Sequence, residues 1–256
     1  METRELDVVY CLKNQPNGEE LRYSLRSLKN LPHRNVWIYG GCPVWAQNIR
    51  HVPMLQPYTK WRNTAKMLFE ISQNTEISKN FIWFNDDFFV LQPCEKLEYW
   101  YENDLGWRKK RTTRASGMYS LYGQQIALAE KTLRENGKDT RNFELHLPII
   151  FNRYKLGNVC RKYPDVAIRR SMYCNEYGIK GVPKKDVKIA GVSGKIPPRS
   201  AFVSSSDGSF ASGEVGKAIK KRFPERSTYE KPPLKPQKPA PRPSGISATP
   251  YFKFPK

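Results

Sequence analysis

The sequence predicts an α/β fold, a mixed sheet flanked by helices. Short apolar runs over 6–12, 36–41 and 81–84 are typical of strands, and residues 19–30 between the first two have helical spacing. A strand, a helix and a second strand within about 40 residues indicate a parallel βαβ unit. With 256 residues, the chain is long enough for one core and a tail.

The predicted elements follow one another closely in the first half of the chain. Leu21, Leu25 and Leu28 lie on one face of the first helix. Two further helices are expected, over 62–72 and 123–137. Their inward residues are Ala65, Leu68, Phe69 and Ile71 in the first, and Ile126, Ala129 and Leu133 in the second.

The second half is less regular. Residues 143–154 are apolar apart from one histidine, and 163–177 are expected to hold a strand and a turn. A short apolar segment starts at 201, and a helix is expected over 215–223. We therefore predict one catalytic domain over 1–230.

Residues 231–256 are predicted to form a disordered tail, because they contain eight prolines, six basic residues and no acid. The whole chain has a formal net charge of +20, so 1–230 retain 38 basic against 24 acidic residues, or +14. This charge suits an anionic ligand such as a nucleotide diphosphate, a nucleic acid or an acidic polymer. A solvated basic surface that aids solubility is the alternative.

The five cysteines include no CxxC pair and are odd in number, which indicates neither a disulfide framework nor a zinc site. The N-terminus lacks the apolar stretch of a signal peptide, and no run approaches the length of a membrane span. We expect a cytoplasmic protein with reduced thiols and no membrane span.

Asn85, Asp86 and Asp87 directly follow a hydrophobic strand. Ligands of open α/β sheets gather beyond the carboxyl ends of strands. Two adjacent carboxylates repel each other, and a bound Mg²⁺ or Mn²⁺ that also bridges diphosphate oxygens would offset that repulsion. The alternative is an ordinary Asx turn.

His146 is the histidine set inside an apolar stretch, which makes it a candidate general base or acid, although a core histidine is the alternative. Arg22 and Arg26 are four residues apart and share one side of the first helix. Their guanidinium groups are candidates for phosphate binding, with exposure to water as the alternative. Asp207 lies in a hydroxyl-rich loop that is also consistent with a simple turn.

Dinucleotide, P-loop and zincin motifs are missing from the sequence, as is the Gly-x-Ser-x-Gly elbow of hydrolases. Four segments, 7–10, 20–28, 36–39 and 84–88, instead resemble, in order and spacing, the Stealth family. Members of that family are sugar-1-phosphate transferases of bacterial capsule synthesis, related to the animal N-acetylglucosamine-1-phosphotransferase.

The resemblance implies a nucleotide-diphosphosugar-transferase-like (GT-A-like) fold, a UDP-sugar donor and a divalent cation, Mg²⁺ or Mn²⁺. An acceptor hydroxyl would attack the β-phosphate and UMP would leave. By resemblance, His146 is the expected base, Asp86 and Asp87 are the expected metal ligands, and Arg22 binds the diphosphate. The residues expected to contact the nucleotide-sugar are Asp7, Arg26, Asn63, Asn85 and Asp207.

The chain departs from the family after Tyr10, where it lacks a tryptophan and two carboxylates of the usual motif. Glycosyl transfer with release of UDP is therefore an open alternative. A compact, basic, cytoplasmic variant also resembles bacteriophage enzymes that act on DNA in the host cytoplasm, so the acceptor is expected to be a glycan or DNA.

A protein that only binds nucleic acid is the alternative from another class. A basic cluster interleaved with aromatic residues is typical of nucleic-acid-binding proteins, in which cations contact phosphates and rings stack on bases. It consists of Arg108, Lys109, Lys110, Arg111 and Arg114, with Tyr99, Trp100, Tyr101 and Trp107.

Overall fold

The computed structural model describes residues 2–14, 17–112 and 117–232. Strands and helices alternate along these ranges. The strands are β1 (Asp7–Leu12), β2 (Val36–Gly40), β3 (Arg50–Val52), β4 (Asn80–Phe84), β5 (Phe88–Val90), β6 (Trp100–Tyr101), β7 (Ile149–Asn152), β8 (Val182–Pro183), β9 (Lys188–Ile189) and β10 (Phe202–Ser205). The helices are α1 (Glu19–Ser27), α2 (Lys60–Gln73), α3 (Leu105–Lys110), α4 (Leu121–Glu135), α5 (Arg153–Lys162), α6 (Arg169–Glu176), α7 (Asp207–Ala211) and α8 (Glu214–Arg222), with a 3₁₀ turn at Leu28–Asn30.

The central sheet has five strands in the order β3-β2-β1-β4-β7. The first four run parallel, and β7 runs antiparallel to β4. This mixed sheet, with helices packed on both faces, confirms the predicted fold class. The carboxyl ends of β1, β2 and β4 and the start of β7 lie along one edge, which we call the carboxyl edge.

A second, three-stranded sheet begins directly beyond that edge. Its order is β5-β10-β9, with β10 antiparallel to β5 and parallel to β9. Residues 85–87 connect β4 of the central sheet to β5 of the small sheet. The acidic turn therefore lies at the junction of the two sheets.

Alternation along the strands divides the core into two layers. Val9 and Trp83 face one layer with α2, α4, α5 and α6, whereas Val8 and Tyr10 face the other with α1. The predicted apolar face of α1 is buried, with Leu21, Leu25 and Leu28 at 0–2% exposure. The α1 prediction thus located one helix and its inward face correctly.

Several segments differ from their predictions. In the segment 163–177, a turn at 164–165 agrees with the prediction, but the expected strand is replaced by helix α6, whose residues are nearly all buried. A helix surrounded by protein lacks the one-sided pattern by which a surface helix is recognised. Helix α5 was not predicted, and Phe69, expected to point inward from α2, is only partly buried.

Arg114 and the tail beyond residue 232 lie outside the described residues. Across the part of the chain that the structure describes, no helix combines the length and apolar character needed to span a bilayer.

Candidate active site

The turn Asn85-Asp86-Asp87 lies at the carboxyl edge, as the sequence predicted. The backbone carbonyl of Asn85 accepts a hydrogen bond of 3.3 Å from Phe88 N, which closes the turn. All three side chains are only half-buried. They are therefore accessible to a ligand at the junction of the two sheets.

Asp87 is held by groups from the small sheet. Its Oδ2 accepts hydrogen bonds from Lys188 Nζ at 2.8 Å and from Ser204 Oγ at 3.0 Å. Its backbone carbonyl accepts from Ser205 N at 3.2 Å. Because Lys188 and Ser204 lie on β9 and β10, the small sheet fixes the orientation of this carboxylate. The ammonium group of Lys188 lies directly beside it.

A group of carboxylates surrounds the start of α1. Burial raises the pKa of Glu20 to about 7, and the negative charges of Asp86, Asp87 and Asp207 raise it further. The hydrogen bond that Ser205 Oγ donates to Glu20 at 2.8 Å lowers this pKa in part. Asp207 is exposed at the start of α7. The structure thus brings together three of the predicted acids and adds Glu20, which the sequence did not indicate.

His146 forms a hydrogen-bonded pair with Asp186. The imidazole Nδ1 lies 2.8 Å from Asp186 Oδ2, and the backbone N of His146 donates to Asp186 Oδ1 at 2.9 Å. Burial opposes ionisation of Asp186, but the hydrogen bonds and charge of His146 outweigh it and lower its pKa to about 2. With its ring 26% exposed, His146 can meet a ligand while an ionised carboxylate orients it.

One short segment joins the histidine pair to the acidic turn. Lys188 N donates to Asp186 Oδ1 at 3.4 Å, while the ammonium group of the same lysine holds Asp87. The Phe88 ring, next to Asp87 in sequence, meets the His146 ring edge-on with centroids 6.5 Å apart. The base candidate and the acidic turn therefore belong to one site.

A buried arginine lies beneath this site. Arg170 is 4% exposed, lies 4.3 Å from the Trp83 ring centroid and donates to the carbonyl of Leu147. Burial lowers the pKa of its guanidinium group, and the charge of Glu144 opposes that change. Since Leu147 follows His146, Arg170 positions the segment that carries the histidine.

Arg22 lies on α1, as the sequence predicted, and its side chain contacts Trp45 and Glu230. Its guanidinium group stacks 4.5 Å from the Trp45 ring centroid, and Nη1 lies 3.5 Å from Glu230 Oε2. Lys188, among the residues that the structure describes, is a cation that contacts the acidic turn, through Asp87 Oδ2. The phosphate-binding role expected of Arg22 stays a prediction, and Lys188 is a second candidate for that role.

Asp7 is a structural residue instead of a ligand-binding one. It is 0% exposed at the amino end of β1, and its register partner Phe81 lies near the start of β4, at the end of the sheet opposite the acidic turn. Its oxygens accept hydrogen bonds from Arg34, Asn35, Trp37 and Ser78. These hydrogen bonds lower the pKa of Asp7 despite its burial. The carboxylate thus links the amino end of β1 to residues at the amino ends of β2 and β4.

Arg26 and Asn63 are also corrected to structural roles. The Arg26 Nε and Nη2 groups donate to Glu230 at 2.7 and 2.8 Å, and Nη1 donates to the carbonyls of Phe223 and Pro224. Asn63 is 9% exposed and makes two hydrogen bonds with the backbone of Tyr58, at 3.0 and 2.7 Å. Neither side chain has donors directed toward the site.

The acidic group does not form a metal site by itself. Across 2–14, 17–112 and 117–232, no three His, Cys, Asp or Glu side chains are arranged to hold a metal ion. Asp86 and Asp87 do supply two carboxylates, and Mg²⁺ commonly takes one or two from the protein and the rest from substrate phosphates and water. Asp86 and Asp87 therefore fit a cation that is held jointly with a diphosphate.

The cluster over 99–111 is partly packed against the protein, whereas Lys110 and Arg111 are exposed. Tyr101 packs on Phe143 and Trp100 on Phe202, with ring centroids 5.8 and 5.5 Å apart. Lys109 Nζ pairs with Glu130 at 2.6 Å. Two of the four rings predicted to stack on bases, Trp100 and Tyr101, thus pack on other side chains of the protein.

Sequence reasoning missed Asp186 and Lys188. Both lie in a glycine-, lysine- and proline-rich region that appeared to lack regular structure. The alternation Asp186-Val187-Lys188-Ile189 is the available signal, because alternate residues of a strand share a face.

No protein-family model matches the chain, and no curated protein sequence matches it. Solved structures with a similar chain path include three glycosyltransferase structures. Galactosyltransferase LgtC with donor and acceptor sugar analogues has a TM-score of 0.47 and 10% identity, and the match covers 87% of this chain and 97% of LgtC. An active-site mutant of LgtC has a TM-score of 0.48 and 12% identity, with the same two coverages. The apo form of GlyE from Streptococcus pneumoniae TIGR4 has a TM-score of 0.42 and 8% identity, and the match covers 86% of this chain and 60% of GlyE. Membership of the Stealth family stays a prediction, and the chemistry of this site rests on its own residues.

Proposed function

We propose that this chain is a transferase that moves a sugar-1-phosphate from a UDP-sugar to an acceptor hydroxyl. The observation that carries the proposal is the His146–Asp186 pair beside the acidic turn. A histidine held by a half-buried, ionised carboxylate is an arrangement that takes a proton from a hydroxyl group. The GT-A-like fold class and the Stealth resemblance agree with this proposal.

His146 acts as the general base. Asp186 accepts a hydrogen bond from Nδ1, which leaves Nε2 as the basic nitrogen. In the proposed step, Nε2 takes the proton of the acceptor hydroxyl while its oxygen forms a bond to the β-phosphorus. The bond between that phosphorus and the bridging oxygen breaks, and UMP leaves with the electron pair.

Lys188 neutralises negative charge on the diphosphate. Its ammonium group lies 2.8 Å from Asp87 Oδ2 and is 30% exposed, so it can contact a phosphate oxygen near the turn. A fixed cation beside a leaving phosphate stabilises the charge that develops there. Asp86 and Asp87 would hold a divalent cation together with the diphosphate, and that cation would supply further charge stabilisation.

Calorimetric titration tests the binding part of this proposal. We expect UDP to bind more tightly with Mn²⁺ than without it, and Mn²⁺ alone to bind weakly, since the protein supplies only part of the coordination. Asp86→Asn combined with Asp87→Asn should remove the Mn²⁺-dependent part. Asp165→Asn, an exposed acid outside the site, is the control.

Product analysis tests the reaction. Incubation with UDP-sugars and glycan or oligonucleotide acceptors should release UMP. Release of UDP instead would show attack at the sugar carbon and would replace the proposal by glycosyl transfer. Nucleotide binding unaffected by the paired aspartate substitutions, with no turnover of any UDP-sugar, would contradict an enzyme of this kind.

A further inference from the structure

A basic groove runs along the seam between α2 and α5, and it is not part of the candidate active site. It consists of two adjoining cavities of about 520 and 250 Å³ that share Arg161. Helix α2 contributes Arg62 and Lys66 to the larger cavity, and both are exposed. We call this surface the α2–α5 groove.

Positive charge dominates the groove. Arg62, Lys66 and Arg161 stand exposed along it, with Arg169 in one cavity and Arg153 in the other. Within the described part of the chain, one carboxylate, that of Asp165, is among the lining residues. An anionic ligand would balance this excess of cations.

Each cavity also contains a buried guanidinium group with an unsatisfied donor. Arg169 and Arg153 are both 5% exposed, and within the described ranges neither Nε has a hydrogen-bond partner. Arg169 Nη1 donates to the carbonyl of Tyr163 at 2.8 Å, and burial lowers the pKa of Arg169. Buried charged groups are normally paired, so each of these guanidinium groups retains positive charge that an anion in the adjoining cavity would offset.

Aromatic rings accompany the cations. Tyr58 lines the larger cavity and Tyr154 the smaller, and each is 57% exposed. The guanidinium group of Arg153 lies 4.8 Å from the Tyr154 ring centroid. Exposed rings beside cations are an arrangement by which proteins bind single-stranded nucleic acid, because bases stack on rings while cations contact phosphates.

From these observations we infer that the α2–α5 groove binds single-stranded nucleic acid. Phosphates contact Arg62, Lys66 and Arg161, and bases stack on Tyr58 and Tyr154. An acidic polysaccharide is the less favoured occupant, since its charges alone would not require two exposed tyrosines. The inference does not rest on the proposed transferase reaction, which uses none of these side chains.

Fluorescence anisotropy of a labelled oligothymidylate with the full-length protein tests this inference. Arg62→Glu combined with Arg161→Glu should weaken binding at least about tenfold. The matching Arg→Gln pair should lower the slope of log affinity against log salt by about 1.4, since each lost single-strand phosphate contact contributes about 0.7. Both arginines are exposed, so the fold should be retained, and thermal unfolding checks this.

The control pair is Lys131→Glu with Lys217→Glu, which makes the same change in net charge at exposed positions outside the groove. Tyr58→Ala should weaken binding about tenfold, whereas Tyr119→Ala, an exposed ring elsewhere, should not. Equal losses in both charge-reversed pairs would overturn the inference. Failure to bind the oligonucleotide, or preferential binding of heparin unaffected by Tyr58→Ala, would also overturn it.

Discussion

The Nδ1 atom of His146 lies 2.8 Å from Oδ2 of Asp186, a residue 40 positions later in the chain. The same carboxylate accepts a second hydrogen bond from the backbone of His146, so both of its oxygens are used to hold one residue. This double attachment fixes the ring and its tautomer at the carboxyl edge.

Asp186→Asn should reduce turnover of the proposed reaction about a hundredfold or more. An amide has a single acceptor oxygen and cannot accept from both the ring and the backbone of His146, so the imidazole loses its fixed orientation. Steady-state kinetics should show the loss mainly in kcat, with UDP affinity unchanged. Asp139→Asn, an exposed carboxylate paired with Arg141, should leave both unchanged; an equal effect there would contradict the assigned role.

Lys188→Gln should weaken UDP binding about tenfold or more, because a charged hydrogen-bond donor to phosphate is replaced by a neutral one. Titration calorimetry measures the change. Lys184→Gln, which removes an ammonium group that lies over the Trp100 ring, is the matched control. Unchanged UDP affinity in Lys188→Gln would leave the phosphate-binding role to a residue such as Arg22.

Glu20 should make stability depend on pH. Its folded pKa of about 7 lies above the usual 4.5, so its contribution is fully present below 4.5 and is lost as pH rises through about 7. Urea unfolding at about pH 5 and about pH 8 should show a loss of stability at the higher pH that is smaller in Glu20→Gln. Glu19→Gln, a more exposed neighbour paired with Lys220, should behave like the parent chain.

Glu230→Gln should lower the free energy of unfolding by about 3 kcal/mol, because it leaves the buried Arg26 without a counter-charge. Urea denaturation measures this difference. Glu214→Gln breaks an exposed ion pair with Lys217 and should cost less than about 1 kcal/mol. Equal costs in the two variants would show that the Arg26 pair behaves as a surface pair.

Local patterns predicted the parts of the fold that depend on neighbouring residues. The alternation of β1 and the leucine spacing of α1 identified elements whose apolar sides face the core. The placement of Asp86 and Asp87 followed from the rule that parallel strands end at one edge, and the antiparallel strand β7 brings His146 to that edge.

Roles set by distant partners were not predictable in this way. Asp7 is held by Arg34, 27 residues away, and Arg26 by Glu230, 204 residues away. A charged side chain in a buried ion pair has the same chemistry as one that binds a ligand, and only tertiary contacts distinguish the two roles. Lys188 was missed because β9 has only two residues, so the alternation over 186–189 is a short signal within a glycine-, lysine- and proline-rich region.

Arg169 and Arg170 are consecutive residues at the start of α6, and they serve different surfaces. Arg169 lines the α2–α5 groove, whereas Arg170 donates to the carbonyl that follows His146. Successive side chains on an α-helix are about 100° apart, so an insertion or deletion that rotates this helix by one position would misdirect both guanidinium groups together. A change in α6 that alters the α2–α5 groove is therefore expected to alter the segment that carries His146 as well.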